Sequence, residues 1–223
     1  MIKYNSPIVN PSLKIVYTIR HGESIGNALG LDDNSLKDLP NHKFPLTEKG
    51  RRQISFSGEY VAENKLINSD VGLFTSNFLR AQQTLEIVLE KQNTENFNVT
   101  LDARLDEWWR GIFHSLSEEE YSQGYPLEQK IQSREGRYHF RPLQGQAGKD
   151  VEINLLSFLN SVREEEIFLC GHGRSIGMLH RLLTNSSVEL NCKYPNPKNG
   201  EIWKFTSDGD YFNFESLFIP KIN

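Results

Sequence analysis

Two apolar runs, each followed by a histidine, constrain the fold of this chain more than any other feature. Residues 13–19 form the first run, and Arg20 and His21 follow it directly. Residues 166–170 form the second, and Gly171-His172-Gly173 follows it. Such runs are typical of strands buried on both faces of a parallel sheet. Ligands bind at the carboxyl ends of these strands, so we expect both histidines in one site at one edge of the sheet.

The rest of the chain alternates between predicted strands and predicted helices. We expect strands at 71–75 and 97–101, helices over 48–65, 78–90, 149–163 and 175–183, and a hairpin over 201–218. This alternation predicts an α/β fold, a three-layer α/β/α sandwich with a mostly parallel central sheet. Residues 104–146 do not fit the alternation, and we interpret them as an inserted lid. We therefore expect one domain over residues 1–223 that carries this lid.

Composition excludes several classes of protein. The 223 residues are 37% apolar and carry a net charge of −4, so no overall positive field attracts nucleic acid or an anionic membrane. No apolar run is long enough to cross a bilayer, and the N-terminus lacks the pattern of a signal peptide. The two cysteines, Cys170 and Cys192, are too few for a disulfide framework. We expect a cytoplasmic protein with neither nucleic acid nor membrane as a partner.

The pair Arg20-His21 has the chemistry of an anion site that contains a nucleophile. Guanidinium is a permanently charged, planar donor that suits the oxygens of a phosphate or carboxylate. A lone histidine just beyond a buried strand is often structural, but an adjacent arginine favours a functional interpretation. Because the whole chain is acidic, phosphate binding must depend on a few such residues.

Four short segments of the chain carry the remaining evidence. They are Arg20-His21-Gly22-Glu23-Ser24 with Asn27, Pro45-Leu46-Thr47-Glu48-Lys49-Gly50-Arg51, residues 76–84, and Gly171-His172-Gly173. Together they resemble the signature of the histidine phosphatase (phosphoglycerate mutase-like) superfamily. The resemblance covers roughly residues 13–184, and four motifs in the same order make coincidence an inadequate explanation.

The resemblance implies an enzyme that transfers a phosphoryl group through a histidine, with no metal and no other cofactor. His21 would be the nucleophile that becomes phosphorylated, which divides the reaction into two steps. Arg20, Arg80 and His172 would surround the phosphoryl group and neutralise its oxygens.

The resemblance also implies an acid that protonates the leaving oxygen and later activates water. Glu107 matches the family's acidic residue before the lid, and the adjacent Asp106 is the alternative. Glu23 is expected to stabilise the loop after the first strand rather than to transfer protons.

Substrate contacts are expected from two regions. The first comprises Ser24, Asn27 and Gly173, which belong to the matched motifs. The second is the lid, where Arg137 and Arg141 stand among aromatic residues; these arginines are either substrate contacts or part of a solvated face.

Two departures from the family pattern stand out. Many members carry Gly-Glu-Ser after the lid, whereas this chain has Gly145-Gln146-Ala147, which affects lid anchoring and substrate recognition. After the acidic residue, a mutase is expected to continue with Arg-His-Tyr-Gly. This chain reads Trp108-Trp109-Arg110-Gly111, which favours a phosphatase.

The sequence therefore predicts a metal-independent phosphomonoesterase that acts on a small phosphorylated metabolite or a phosphoprotein. One alternative is a phosphoglycerate-type mutase, which returns the phosphoryl group to another hydroxyl. A second is a catalytically silent domain that binds a phosphorylated ligand. A metallohydrolase is a weaker option, because the chain has no His-Glu-x-x-His helix and arginines beside a cation are unfavourable. The identity of the substrate and the oligomeric state stay open.

Overall fold

A six-stranded sheet forms the centre of the protein. The computed structural model describes residues 9–30, 33–36, 38–94, 96–114, 116–187 and 195–221. The strands are β1 (Ile15–Arg20), β2 (Val71–Thr75), β3 (Val99–Leu101), β4 (Glu166–Gly171), β5 (Ile202–Ser207) and β6 (Phe212–Phe218). They lie in the order β3-β2-β4-β1-β5-β6, with β1 to β4 parallel and β5 and β6 antiparallel to their neighbours. The predicted mostly parallel sheet and the C-terminal hairpin are confirmed.

Seven α-helices lie among the described residues. They are α1 (Ile25–Leu29), α2 (Glu48–Glu63), α3 (Leu79–Glu90), α4 (Glu118–Gly124), α5 (Pro126–His139), α6 (Gly148–Ser161) and α7 (Gly173–Thr184). Helix α2 begins where predicted, because the Thr47 hydroxyl accepts a hydrogen bond from the backbone nitrogen of Gly50 at 3.0 Å. No helix in the described part of the chain is long and apolar enough to cross a membrane.

Helices cover both faces of the sheet and create two cores. Along β4, Ile167 and Leu169 point into one core, and Phe168 and Cys170 into the other, as the period of two in a strand requires. The first core contains side chains of α6 and α7, and the second contains those of α2 and α3. This arrangement is the predicted three-layer sandwich.

Of the two cysteines, Cys170 is buried in the second core, and burial raises the pKa of its thiol. Cys192 lies outside the described residues.

The parallel register brings the carboxyl ends of the central strands to one edge of the sheet. Arg20, the last residue of β1, lies opposite Gly171, the last residue of β4. His21 and His172 follow these two residues directly. Both histidines therefore emerge at the same edge, as expected.

Residues 104–146, which we call the lid segment, contain α4 and α5, and their described residues add no strand to the sheet. The two ends of the segment are joined through Gln146. Its backbone nitrogen donates to the Trp109 oxygen at 2.9 Å, and its Oε1 accepts from the Trp109 nitrogen at 3.1 Å. Its backbone oxygen also accepts from Nε1 of Trp108 at 2.9 Å. Gln146 thus anchors the lid segment where the family pattern has a glutamate.

Gly111 lies where the lid segment has no room for a side chain. Its φ is +63°, and a Cβ there would lie 2.0 Å from the backbone oxygen of Leu143. We expect Gly111→Ala to lower the free energy of unfolding by about 1–3 kcal/mol, as measured by urea denaturation. Gly124→Ala is the matched control, because nothing lies within 4 Å of a Cβ at that position. Equal losses in the two variants would contradict this explanation.

Candidate active site

His21 is buried and held as a neutral imidazole. Only 2% of the residue is exposed. Its Nδ1 lies 2.7 Å from the carbonyl oxygen of Gly22 and carries the proton, because a carbonyl only accepts. Nε2 therefore has the lone pair, and it accepts from Nε of Arg80 at 3.2 Å. Burial, followed by the charges of Arg80 and Arg20, holds the pKa of His21 well below its usual range, so the ring is neutral at pH 7.

His172 directly precedes α7 and is completely buried. The hydroxyl of Ser76 donates to Oδ1 of Asp106 at 2.7 Å and accepts from Nε2 of His172 at 2.8 Å. In the neutral ring, Nδ1 then carries the lone pair, and it lies 3.7 Å from Oε2 of Glu107. The rings of His172 and His21 have centroids 5.1 Å apart. Burial is the main cause that lowers the pKa of His172 well below its usual range.

Two guanidinium groups approach His21 from different parts of the chain. Arg80, in the first turn of α3 and 4% exposed, donates from Nη1 to the backbone oxygen of Asn41 at 2.8 Å and to its side-chain oxygen at 3.2 Å. Arg20 donates from Nη1 to the backbone oxygen of Pro197 at 2.7 Å. Burial lowers the pKa of Arg80 to about 10, which leaves it charged at pH 7. These contacts hold positive charge next to the imidazole.

The carboxylates of Asp106 and Glu107 point in different directions. Asp106 accepts from the backbone nitrogen of Asn77 at 2.8 Å and from the serine hydroxyl described above. Glu107 accepts from the backbone nitrogen of Trp108 at 3.0 Å and faces the cavity in front of the imidazole, with 19% of its side chain exposed. Burial raises the pKa of Glu107, although the neighbouring arginines oppose the shift. Of the two carboxyl groups, Glu107 is the one placed to meet a bound molecule.

These groups line a cavity of about 240 Å³. The predicted site residues in its wall are Arg20, His21, Ser24, Asn27, Arg80, Glu107 and Gly173. His172 packs edge-on against His21. Arg137 lines a second, smaller cavity, which we call the inner chamber. Arg141 is exposed and pairs with Asp150 at 2.5 Å, so the structure does not bring Arg141 to the site.

Several polar residues in the cavity wall were not predicted from the sequence as site residues. They are Asn41, Arg110, His114, Arg174 and Asn196. Nδ2 of Asn41 donates to Nε2 of His114 at 2.8 Å, while its oxygens accept from Arg80, so Asn41 orients that arginine. Arg174 follows the motif Gly171-His172-Gly173 directly, and this adjacency was a usable signal. Asn41 adjoins no motif, and only the fold carries it to the site.

The loop over residues 195–200 holds the backbone of the site. Nδ2 of Asn199 donates to the backbone oxygen of His21 at 2.9 Å and to Oδ1 of Asn27 at 3.3 Å. Oδ1 of Asn27 also accepts from the backbone nitrogen of Ser24 at 3.2 Å. Glu23 accepts from the hydroxyl of Thr47 at 2.9 Å and so connects this loop to α2, as expected. The loop after β1 is therefore fixed from both sides.

The donor set resembles a metal site, but its charge favours an anion. Ligand atoms of His21, Glu107 and His172 lie within 4.8 Å of one another, and metal ions use such ligands. However, Arg80 donates to Nε2 of His21, and further arginines line the same wall. Their charges repel a cation and attract an oxyanion.

Comparison with known sequences assigns the chain to a family. The model of the histidine phosphatase superfamily (branch 1) matches residues 16–220. A phosphoglycerate mutase of Schizosaccharomyces pombe is 28% identical over 167 residues, which cover 72% of this chain and 74% of that protein. The 2,3-bisphosphoglycerate-dependent phosphoglycerate mutase 2 of Gloeobacter violaceus is 29% identical and covers 79% of this chain and 78% of its own length.

Solved structures share the fold at lower identity. A putative α-ribazole-5′-P phosphatase from Escherichia coli superposes with a TM-score of 0.73 at 18% identity, and the match covers 95% of this chain and 98% of that one. A mycobacterial glucosyl-3-phosphoglycerate phosphatase superposes with a TM-score of 0.69 at 20% identity, over 91% of this chain and 98% of that one.

Proposed function

This chain belongs to the histidine phosphatase superfamily, and we propose that it is a phosphomonoesterase that works through a covalent phosphohistidine at His21. The observation that carries the proposal is the tautomer of His21. The proton on Nδ1 is held by the Gly22 carbonyl, so the lone pair is on Nε2, the atom next to Arg80. A neutral, oriented imidazole beside fixed positive charge is a competent nucleophile toward a phosphoryl group.

In the first step, Nε2 of His21 attacks phosphorus, an N–P bond forms, and the bond to the leaving oxygen breaks. Glu107 donates its proton to that oxygen, which leaves as an alcohol. The raised pKa of Glu107 supports this role, because it keeps the carboxyl group protonated to a higher pH than an ordinary glutamate. Arg20 and Arg80 neutralise the charge that develops on the phosphoryl oxygens.

In the second step, the Glu107 carboxylate takes a proton from water, whose oxygen attacks the phosphohistidine. The N–P bond breaks, phosphate forms, and His21 returns to its neutral state. His172 assists both steps. The negative charge of the phosphoryl group favours protonation of His172 at Nδ1, and the protonated Nδ1 then donates a hydrogen bond to a phosphoryl oxygen. The hydrogen bond from Nε2 to Ser76 orients the ring for this contact.

A mutase is the second candidate, because the curated relatives described above carry that name. The two activities share the first step and differ in whether water or a hydroxyl of the product accepts the phosphoryl group. Trp108-Trp109-Arg110-Gly111 stands where a mutase continuation was expected, which supports hydrolysis.

Labelling and product analysis test the proposal. The purified protein is incubated with 4-nitrophenyl phosphate and with a panel of ³²P-labelled phosphomonoesters that includes 3-phosphoglycerate. We expect release of inorganic phosphate and a protein-bound label that is lost in acid and stable in alkali. Isomerisation of phosphoglycerate without phosphate release would instead indicate a mutase. Binding with neither label nor turnover would indicate a silent ligand-binding domain.

A further inference from the structure

The active-site cavity is lined by more arginines than the two that lie next to His21. Its wall contains the guanidinium groups of Arg20, Arg80, Arg110 and Arg174. Among the described residues of that wall, Glu107 is the single carboxyl group. A phosphate monoester has a charge of about −1.5 to −2 at pH 7, which the two arginines next to His21 match. Arg110 and Arg174 add two further arginines to the same wall.

Arg110 and Arg174 lie on the side of the cavity that borders the inner chamber. Arg110 and Arg174 line both cavities, whereas His21 lines only the larger one. The inner chamber, of about 30 Å³, also receives Arg137 from α5. Three guanidinium groups therefore converge at one end of the site, away from the nucleophile.

The surroundings of these arginines have the composition of an anion site. Of the described residues that line the inner chamber, none is an aspartate or glutamate, and its walls include the rings of Trp108 and Phe113. Burial lowers the pKa of Arg174, and the charge of Arg137 lowers it further, while Glu107 opposes the shift. An oxyanion bound between these groups would be attracted by all three positive charges.

From this convergence we infer that the substrate carries a second anionic group, and that Arg174, Arg110 and Arg137 bind it while the phosphoryl group lies at His21. Each guanidinium offers a planar fork that fits a carboxylate or a phosphate. The inference rests on the proposed phosphatase reaction and assigns its substrate class, a phosphate monoester with a second oxyanion on its leaving group. A monoester with a neutral leaving group would place its phosphoryl group at His21 but would make no ionic contact with Arg174, Arg110 and Arg137.

Matched substrates test the inference. The reference ester is 4-(carboxymethyl)phenyl phosphate, and its neutral partner carries the corresponding amide; the methylene keeps the two leaving groups similar. A third ester carries a phosphonomethyl group and separates phosphate from carboxylate recognition. We expect kcat/KM for an anionic ester to exceed that for the amide on the order of ten-fold or more. Arg174→Gln should bring this ratio close to one, and Arg110→Gln is a second variant in case the first does not fold.

Arg134→Gln is the matched control, because Arg134 lies on α5 with 74% of its side chain exposed. It should leave the ratio unchanged. Equal kcat/KM for the anionic and neutral esters of the wild-type protein would overturn the inference, and so would a preference that survives both Arg174→Gln and Arg110→Gln.

Measurements of binding affinity test the second anion site independently of the proposed phosphatase reaction. The carboxylate and amide esters each have a non-hydrolysable phosphonate analogue. Calorimetry measures the affinity of wild type and of His21→Ala for these two analogues, and so tests the second anion site without turnover. Tighter binding of the carboxylate without any hydrolysis would refute the phosphatase proposal and support the second site. Hydrolysis together with equal affinities would support the phosphatase and refute the second site.

Discussion

His21→Ala is expected to reduce kcat for every phosphomonoester by about 10⁴-fold or more and to abolish the acid-labile label. The substitution removes the nitrogen that attacks phosphorus in the first step of the proposed reaction, so the remaining arginines can bind substrate but no covalent phosphohistidine forms at this position. The fold should persist, because the backbone of residue 21 keeps its bonds to Gly171 and Asn199. Steady-state kinetics, ³²P labelling and a thermal melt measure the three consequences.

His139→Ala serves as the control for this variant. His139 is exposed near the end of α5 and does not line the site cavity, so kcat and labelling should match those of the wild type. Substantial hydrolysis by folded His21→Ala would refute the covalent mechanism at this residue. Retention of the label in that variant would place the phosphoryl group elsewhere, with His172 the nearest candidate.

Glu107→Gln is expected to lower kcat/KM for alkyl phosphates by about 10²- to 10⁴-fold. The effect should be much smaller for 4-nitrophenyl phosphate, whose leaving group needs no proton. The wild-type profile with alkyl phosphates should fall as pH rises through the pKa of Glu107. Burial raises that pKa, so the fall should begin above the usual range of a glutamate. In Glu107→Gln this limb should disappear, because the amide does not titrate.

Asp106→Asn distinguishes the two neighbouring carboxyl groups. Asp106 accepts from Ser76 and Asn77, and its loss should disturb the orientation of His172 equally for all substrates. The dependence on leaving group should therefore be preserved in Asp106→Asn and lost in Glu107→Gln. A uniform loss across leaving groups in Glu107→Gln would contradict the acid role of that residue.

Most of the sheet was predictable because its central strands are buried on both faces. Residues of β1 and β4 face two cores at once, so apolar side chains recur without interruption and mark the strands directly. Helices α2, α3, α6 and α7 were predictable from their apolar faces. The lid segment was not, since α4 is short and both α4 and α5 are mostly exposed, so neither has a broad apolar face. Its anchoring through Gln146 and Gly111 depends on contacts between residues far apart in the chain.

The family was predictable because its motifs are short and local. Arg20-His21 and Gly171-His172-Gly173 each follow a strand directly, so their positions at the sheet edge follow from the strand pattern. The family model that matches residues 16–220 confirms this assignment. Arg80 was likewise indicated by its motif, and the structure brings its Nε within 3.2 Å of the His21 ring.

The amino-acid sequence by itself determined the fold class, the family and the residues that meet at the sheet edge, because each depends on local patterns of burial or on a contiguous motif. Only the tertiary structure decided which lid arginine lies at a cavity next to the site. Arg137 and Arg141 are four residues apart in the chain, yet the first lines the inner chamber and the second, beyond the end of α5, pairs with Asp150 at the surface. The physical reason is that a guanidinium's partners are set by the packing of α5 over α6, and no local pattern encodes that packing.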